Sequence, residues 1–174
     1  MRVPIEIHVW QGAIADLEVD AIVVPASESL FMTGPTGAAV KLRAGDTVER
    51  DAVARGPAAA GSVVVTEGGL LAAPWIIHAV AVGHDLRADR ASLDRALRAS
   101  LEAAVALGLS RNAMAPLGTE RGVFGAEDVA DALRGALTDL AAELGPLESL
   151  VVAVATPSEG LAFRAALEDV RTTA

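Results

Sequence analysis

The 174-residue sequence contains no cysteine and no tyrosine, aromatic residues make up 3% of it, and Lys41 is its single lysine. The lack of cysteine excludes disulfides and thiolate chemistry and fits a reducing cytoplasm. With so few aromatics, the interior must be filled by small and branched aliphatics, and Ala and Val supply much of the 52% apolar share. No uncharged apolar run approaches the roughly 18 residues needed to cross a bilayer. The opening segment, MRVPIEIHVW, alternates and carries Glu6, unlike a secretory signal with its basic start and apolar run. A cytoplasmic protein without membrane contact is therefore expected. The preference for Arg over Lys and the abundance of Ala read as genome base composition of a bacterial type, and not as function.

Acidic residues outnumber basic ones, giving a formal net charge of -9. Like-charge repulsion argues against non-specific binding to nucleic acid or anionic membrane. An anion held locally by backbone amides stays open, because such amides act at contact range. The length suits one domain, residues 1–174, large enough to bury a core.

The segments alternate between strand and helix patterns. Residues 3–10 read as a first strand, and residues 21–25 (AIVVP) form a continuous β-branched run, the pattern of a strand buried on both faces. Residues 32–37 (MTGPTG) form a Gly/Pro loop, followed by a helical pattern over 38–55 that is interrupted at Gly45. Residues 62–66 and 75–82 read as core strands joined by a turn containing Gly68, Gly69 and Pro74. A helix is predicted over 92–107, with Ser92 as its N-cap and Gly108 as its stop. Then come a strand at 112–117, a loop at 118–125, a helix at 127–144, a strand at 150–155 and a helix at 158–170. This order predicts a three-layer α/β/α sandwich around a mixed, mostly parallel sheet of about six strands. In such folds ligands sit beyond the carboxyl ends of the strands, so the loops at 32–37 and 118–125 are the places for a site.

The order and spacing of Gly12-Ala13-Ile14, VDAIVVPASESL (19–30), Ala44-Gly45, GSVVVTEG (61–68), WIIHAV (75–80) and PLGTERGVFG (116–125) resemble a divergent member of the macrodomain family, a module known for binding ADP-ribose. The resemblance covers nearly the whole chain. It implies a ligand site built from Ala13, Ile14, Ser27, Thr33, Gly34, Gly37, Gly118, Thr119, Glu120, Arg121, Gly122, Val123 and Phe124. The family's Asp that receives the adenine amino group is Ala13 here, and its distal-ribose Asn is Ser27. The acidic position of the deacetylating members is Gly37, and Ala155 and Thr156 stand where some members stack an aromatic on the adenine.

The glycines of both loops still allow backbone N–H groups to converge on phosphate oxygens. Pro35 lacks an N–H, and Glu120 brings negative charge to the diphosphate position, with Arg121 beside it as compensation. Three readings follow. The first is a binder of ADP-ribose or a related nucleotide diphosphate, held by backbone amides and without catalysis. The second is an interaction protein that has lost its ligand, for which a homodimer through the Ala/Val-rich surface is one form. The third is a hydrolase of ADP-ribosyl or O-acetyl-ADP-ribose substrates, disfavoured because Ser27 and Gly37 supply no general base. No catalytic residue, metal or cofactor is expected. His8 and His84 have no acidic partner at a convincing spacing, His78 reads as a structural histidine, and Phe124 divides between ligand stacking and core. Asp16 and Asp20 flank a turn as caps, with Asp16 the nearest substitute for the missing adenine acceptor. Trp10 and Trp75 are expected in the core.

Overall fold

The computed structural model describes residues 5–170. In chain order these form β1 (Glu6–Gln11), a 3-10 turn (Ile14–Asp16), β2 (Ala21–Pro25), α1 (Pro35–Ala44), α2 (Asp46–Arg55), β3 (Val63–Glu67) and β4 (Trp75–Ala79). They continue with α3 (Arg90–Ala106), β5 (Arg111–Met114), α4 (Ala126–Asp139), β6 (Ser149–Val154) and α5 (Pro157–Leu167). One sheet orders the strands β1-β6-β5-β2-β4-β3, with β3 antiparallel to β4 and every other pairing parallel. The expected mixed, mostly parallel six-stranded sandwich is what the chain forms.

The central strand β2 shows why its run of apolar residues has no polar face. Ala21 and Val23 join the larger core under α3, α4 and α5, while Ile22 and Val24 join the smaller core under α1 and α2. Alternation of side chains across a strand sends successive residues to opposite layers, and both layers here are helical. The larger core is filled by leucines of α3 and α4 (Leu93, Leu97, Leu133, Leu137), Phe163 of α5 and Met114 of β5. The edge strand β1 has only one covered face: Ile7 is buried, whereas Glu6, His8 and Trp10 are exposed. Trp10 is therefore not the core residue expected. It is 38% exposed, and its six-membered ring lies on Gly12, where an added Cβ would come within 2.2 Å of it. Trp75 is half-buried against the larger core.

Several boundaries differ from expectation for local reasons. The first strand is expected from Val3, which lies outside the described residues. The helical pattern at 38–55 is two helices, because Gly45 takes φ 95° and turns the chain between them. The first of them starts earlier, with Pro35 at the first helical position, where a missing N–H costs the helix nothing. The cap of α3 is Asp89 and not Ser92. The Asp89 carboxylate accepts from the Ala91 N–H (3.1 Å) and from the Ser92 hydroxyl (2.7 Å), which draws Ser92 into the first turn. The last helical pattern before β6 ends at Asp139, where the chain tightens into turns closed by Ala141 N–H to Thr138 O and Glu143 N–H to Leu140 O; Leu140 and Leu144 stay buried.

Candidate functional site

The loops that follow β1, β2, β4, β5 and β6 meet at one end of the sheet and enclose a cleft in two chambers. The smaller, about 130 Å³, lies between the 26–34 loop, the 80–86 loop and the 118–125 loop, with Ser27, Thr33, Gly34, Gly118, Arg121 and Val123 on its walls. The larger and more open chamber, about 760 Å³, lies between residues 11–15, the start of α1 and residues 153–159, and includes Ala13, Ile14 and Thr119. Both chambers share one residue, Glu120.

Glu120 crosses the cleft. Its Oε1 accepts from the Thr36 N–H of α1 at 2.7 Å, and its Oε2 lies against Gly34, within 3.0 Å of where a Cβ would stand. Gly34 is the N-cap of α1 and offers no side-chain acceptor, and Pro35 has no N–H. The carboxylate thus takes the exposed end of α1, where unpaired amides and the helix dipole favour negative charge. The loop that carries Glu120 is closed by Gly122 N–H to Thr119 O (3.1 Å) and Phe124 N–H to Gly118 O (3.2 Å). Gly118 has φ 79°, and a Cβ there would meet the Phe124 ring at 2.5 Å, so only glycine fits.

Ten of the thirteen site residues expected from the sequence line the cleft, and three do not. Gly37 is buried within α1 against the backbone of Met32. Gly122 sits in the turn that supports Glu120. Phe124 is 7% exposed and packs in the larger core. The 26–34 loop is held by Glu49 of α2, whose carboxylate accepts from the Met32 N–H (2.8 Å) and pairs with Lys41 of α1 (2.7 Å). The Lys41 bond holds the Glu49 carboxyl below its ordinary value, and Lys41 is raised in return. The Ser27 hydroxyl is 3.0 Å from that of Ser29. Asp16 ion-pairs with Arg43 at the surface and does not line the larger chamber, so it does not stand in for the missing acceptor. Asp20 accepts from Ser110 N–H (2.9 Å) and Arg111 N–H (2.7 Å), fastening the approach to β2 onto that to β5.

Sequence reasoning missed four contributors. Phe31 and Leu86, both exposed, form apolar walls of the smaller chamber. His84 lines it too, and the Glu28 carboxylate lies 3.4 Å from its ring Nε2 and accepts from its backbone N–H at 3.1 Å. The expectation that His84 lacks an acidic partner is thus corrected: the partner is 56 residues away and no local spacing signals it. His8 also has one, Glu6 at 3.5 Å, on an exposed edge. Glu159 lines the larger chamber and accepts from Ala155 N–H (2.8 Å), while Thr156 caps α5 by accepting from Glu159 N–H (3.2 Å). The position of residues 80–86, after β4 and at its carboxyl end, was the signal available for His84 and Leu86. Among the described residues, no group of three His, Asp or Glu side chains is arranged to hold a metal ion.

A three-layer α/β/α sandwich with a divided cleft at the carboxyl ends of its strands is the class of molecule these observations define. The family model of the Macro domain matches residues 23–133, and the chain belongs to the macrodomain family. An uncharacterized protein of Mycobacterium tuberculosis is 30% identical over 164 residues, which are 94% of this chain and 45% of that protein. The chain thus spans less than half the length of this relative. A second uncharacterized relative, from Pyrobaculum aerophilum, is 31% identical over 140 residues, 75% of each protein. Crystal structures of the Trypanosoma brucei macrodomain, in complex with ADP and with ADP-ribose, share the fold with a TM-score of 0.86 at 21% identity, covering 93% of this chain and 69% of that one.

Proposed function

We propose that this chain is a non-catalytic binding module for ADP-ribose or a related nucleoside diphosphate. The observation that carries the reading is the divided cleft itself: two chambers of unequal size, joined across the N-terminus of a helix, at the strand ends of a macrodomain. Such a shape suits a ligand with two bulky ends and an anionic middle. The larger chamber, beside Ala13 and Ile14, takes the base and its ribose, and the smaller, beside Ser27, takes the distal sugar. Structural relatives that hold ADP and ADP-ribose support this direction. Ala13 and Ser27 remove two side-chain contacts, so recognition rests on shape and on backbone amides of the Gly34 and Gly118 loops. Isothermal calorimetry against ADP-ribose tests it: saturable binding in the micromolar to millimolar range is expected, and no heat with no thermal shift at millimolar ADP-ribose would reject it.

The His84–Glu28 pair favours a second reading, hydrolysis at the distal end of the ligand. A carboxylate-paired imidazole on the chamber wall is a general base in kind, although Ser27 and Gly37 supply none. Release of ADP-ribose from a mono-ADP-ribosylated protein, abolished by His84→Ala, would establish it in place of simple binding.

A further inference from the structure

The ligand middle in the reading above and the Glu120 carboxylate compete for one place. α1 has ten residues, its first-turn amides are reduced by Pro35, and the Thr36 N–H that faces the cleft already donates to Glu120. Among the described residues, Glu120 alone is common to both chambers, so it stands on the path that a ligand must take from one to the other. A phosphate entering there would lose the Thr36 amide and meet a like charge a few ångströms away, an interaction that is strong wherever water is partly excluded.

We propose that Glu120 is the specificity-determining residue of the cleft: a tethered carboxylate seated at the α1 N-terminus that excludes a diphosphate until it swings out. This rests on the nucleotide-binding reading and sharpens it. An uncharged nucleoside enters the larger chamber without disturbing Glu120. A nucleoside diphosphate must displace it, and Arg121, next along the same loop, lines the smaller chamber. The displaced state costs the α1 terminus its acceptor, which the ligand's phosphate then replaces. The tethered carboxylate therefore acts as an internal competitor, and its removal exposes the seat.

Three proteins separate the outcomes: the wild type, Glu120→Ala, and Glu120→Gln, which keeps the length and an acceptor for Thr36 while removing the charge. Each is titrated with ADP-ribose, adenosine and inorganic pyrophosphate by calorimetry, with the Thr36 amide followed by NMR. Glu120→Ala should bind ADP-ribose roughly tenfold more tightly than wild type, the size of a helix-terminus charge interaction, and Glu120→Gln should show part of the gain. Adenosine affinity should be the same in all three. Pyrophosphate should shift the Thr36 amide in Glu120→Ala and leave it unmoved in wild type. If neither variant gains affinity for ADP-ribose and pyrophosphate does not reach Thr36, the proposal is wrong, even where wild type binds ADP-ribose. If pyrophosphate reaches Thr36 only in the variants while no protein binds ADP-ribose, the displacement device stands and the nucleotide reading falls.

Discussion

Acidification should weaken this fold through one histidine before the carboxylates contribute. His78 lies in β4, paired with Val24 of β2 on one side and Val64 of β3 on the other, and is 1% exposed. Its Nε2 is 2.9 Å from the Thr66 hydroxyl, and its strand neighbours Val24 and Val64 are apolar. Burial disfavours the imidazolium and lowers its pKa from 6.5 to about 4, with the positive charge of Arg55 acting in the same direction. In the unfolded chain the ring protonates near its ordinary value, so between these two values the unfolded state binds more protons than the folded one. Stability is then full above the unfolded value, falls as the pH drops from 6.5 towards 4, and levels off below. The interval corresponds to about 3 kcal/mol, at roughly 1.4 kcal/mol per pH unit. That is a large share of the roughly 5–15 kcal/mol typical of a domain. Urea unfolding at pH 7.5, 6, 5 and 4 measures it, with His78→Gln as the control that retains a partner for Thr66 but does not titrate. The wild type should lose most of the 3 kcal/mol relative to the variant across this range. Parallel curves for the two proteins, or an NMR titration of the ring near its ordinary value, would refute the reasoning.

Two further substitutions test how the cleft and its scaffold are held. Gly118→Ala places a methyl group against the Phe124 ring at a backbone angle that L-residues avoid, and should cost about 2–4 kcal/mol by urea unfolding, while Gly135→Ala, in open space within α4, should stabilise by about 0.5–1 kcal/mol. Asp89→Ala should lower the thermal midpoint by a few degrees through loss of the α3 cap. Ser92→Ala, which removes one of the same hydrogen bonds but leaves the Ala91 amide capped, should lower it less.

What could be read from the sequence is what repeats along it or sits at a strand end. The run at residues 21–25 names β2 to the residue, because a strand buried on both faces has no polar position to blur it. The leucines at helical spacing in α3 and α4 mark the larger core for the same reason. Errors fall where two readings share one local pattern. Ser92 and Asp89 are both good caps, and the choice between them depends on which side-chain oxygen finds the first amides. Trp10 reads as a core residue until β1 is known to be an edge strand with one open face. The site divides along the same line. The loops after β2 and β5 were legible as the place to look, since glycines and strand ends signal them. The direction of Glu120 was not, because its partner is an amide 84 residues away, and the Glu28 partner of His84 is 56 away.

The same division bears on function. A family resemblance carries over the frame that brings five loops together, because that frame depends on patterns of apolar residues that many sequences satisfy. Which anion occupies the α1 terminus depends on one side chain reaching across the cleft. In this chain the carboxylate that closes the seat also caps the helix, so a substitution at Glu120 changes helix stability and ligand selection in opposite directions. Glu120→Ala leaves Thr36 without its acceptor, which destabilises α1, and it removes the like charge, which favours a diphosphate. A lower melting temperature without ligand and a larger stabilisation by ADP-ribose, in the same variant, is the paired signature that a purely structural role for Glu120 would not produce.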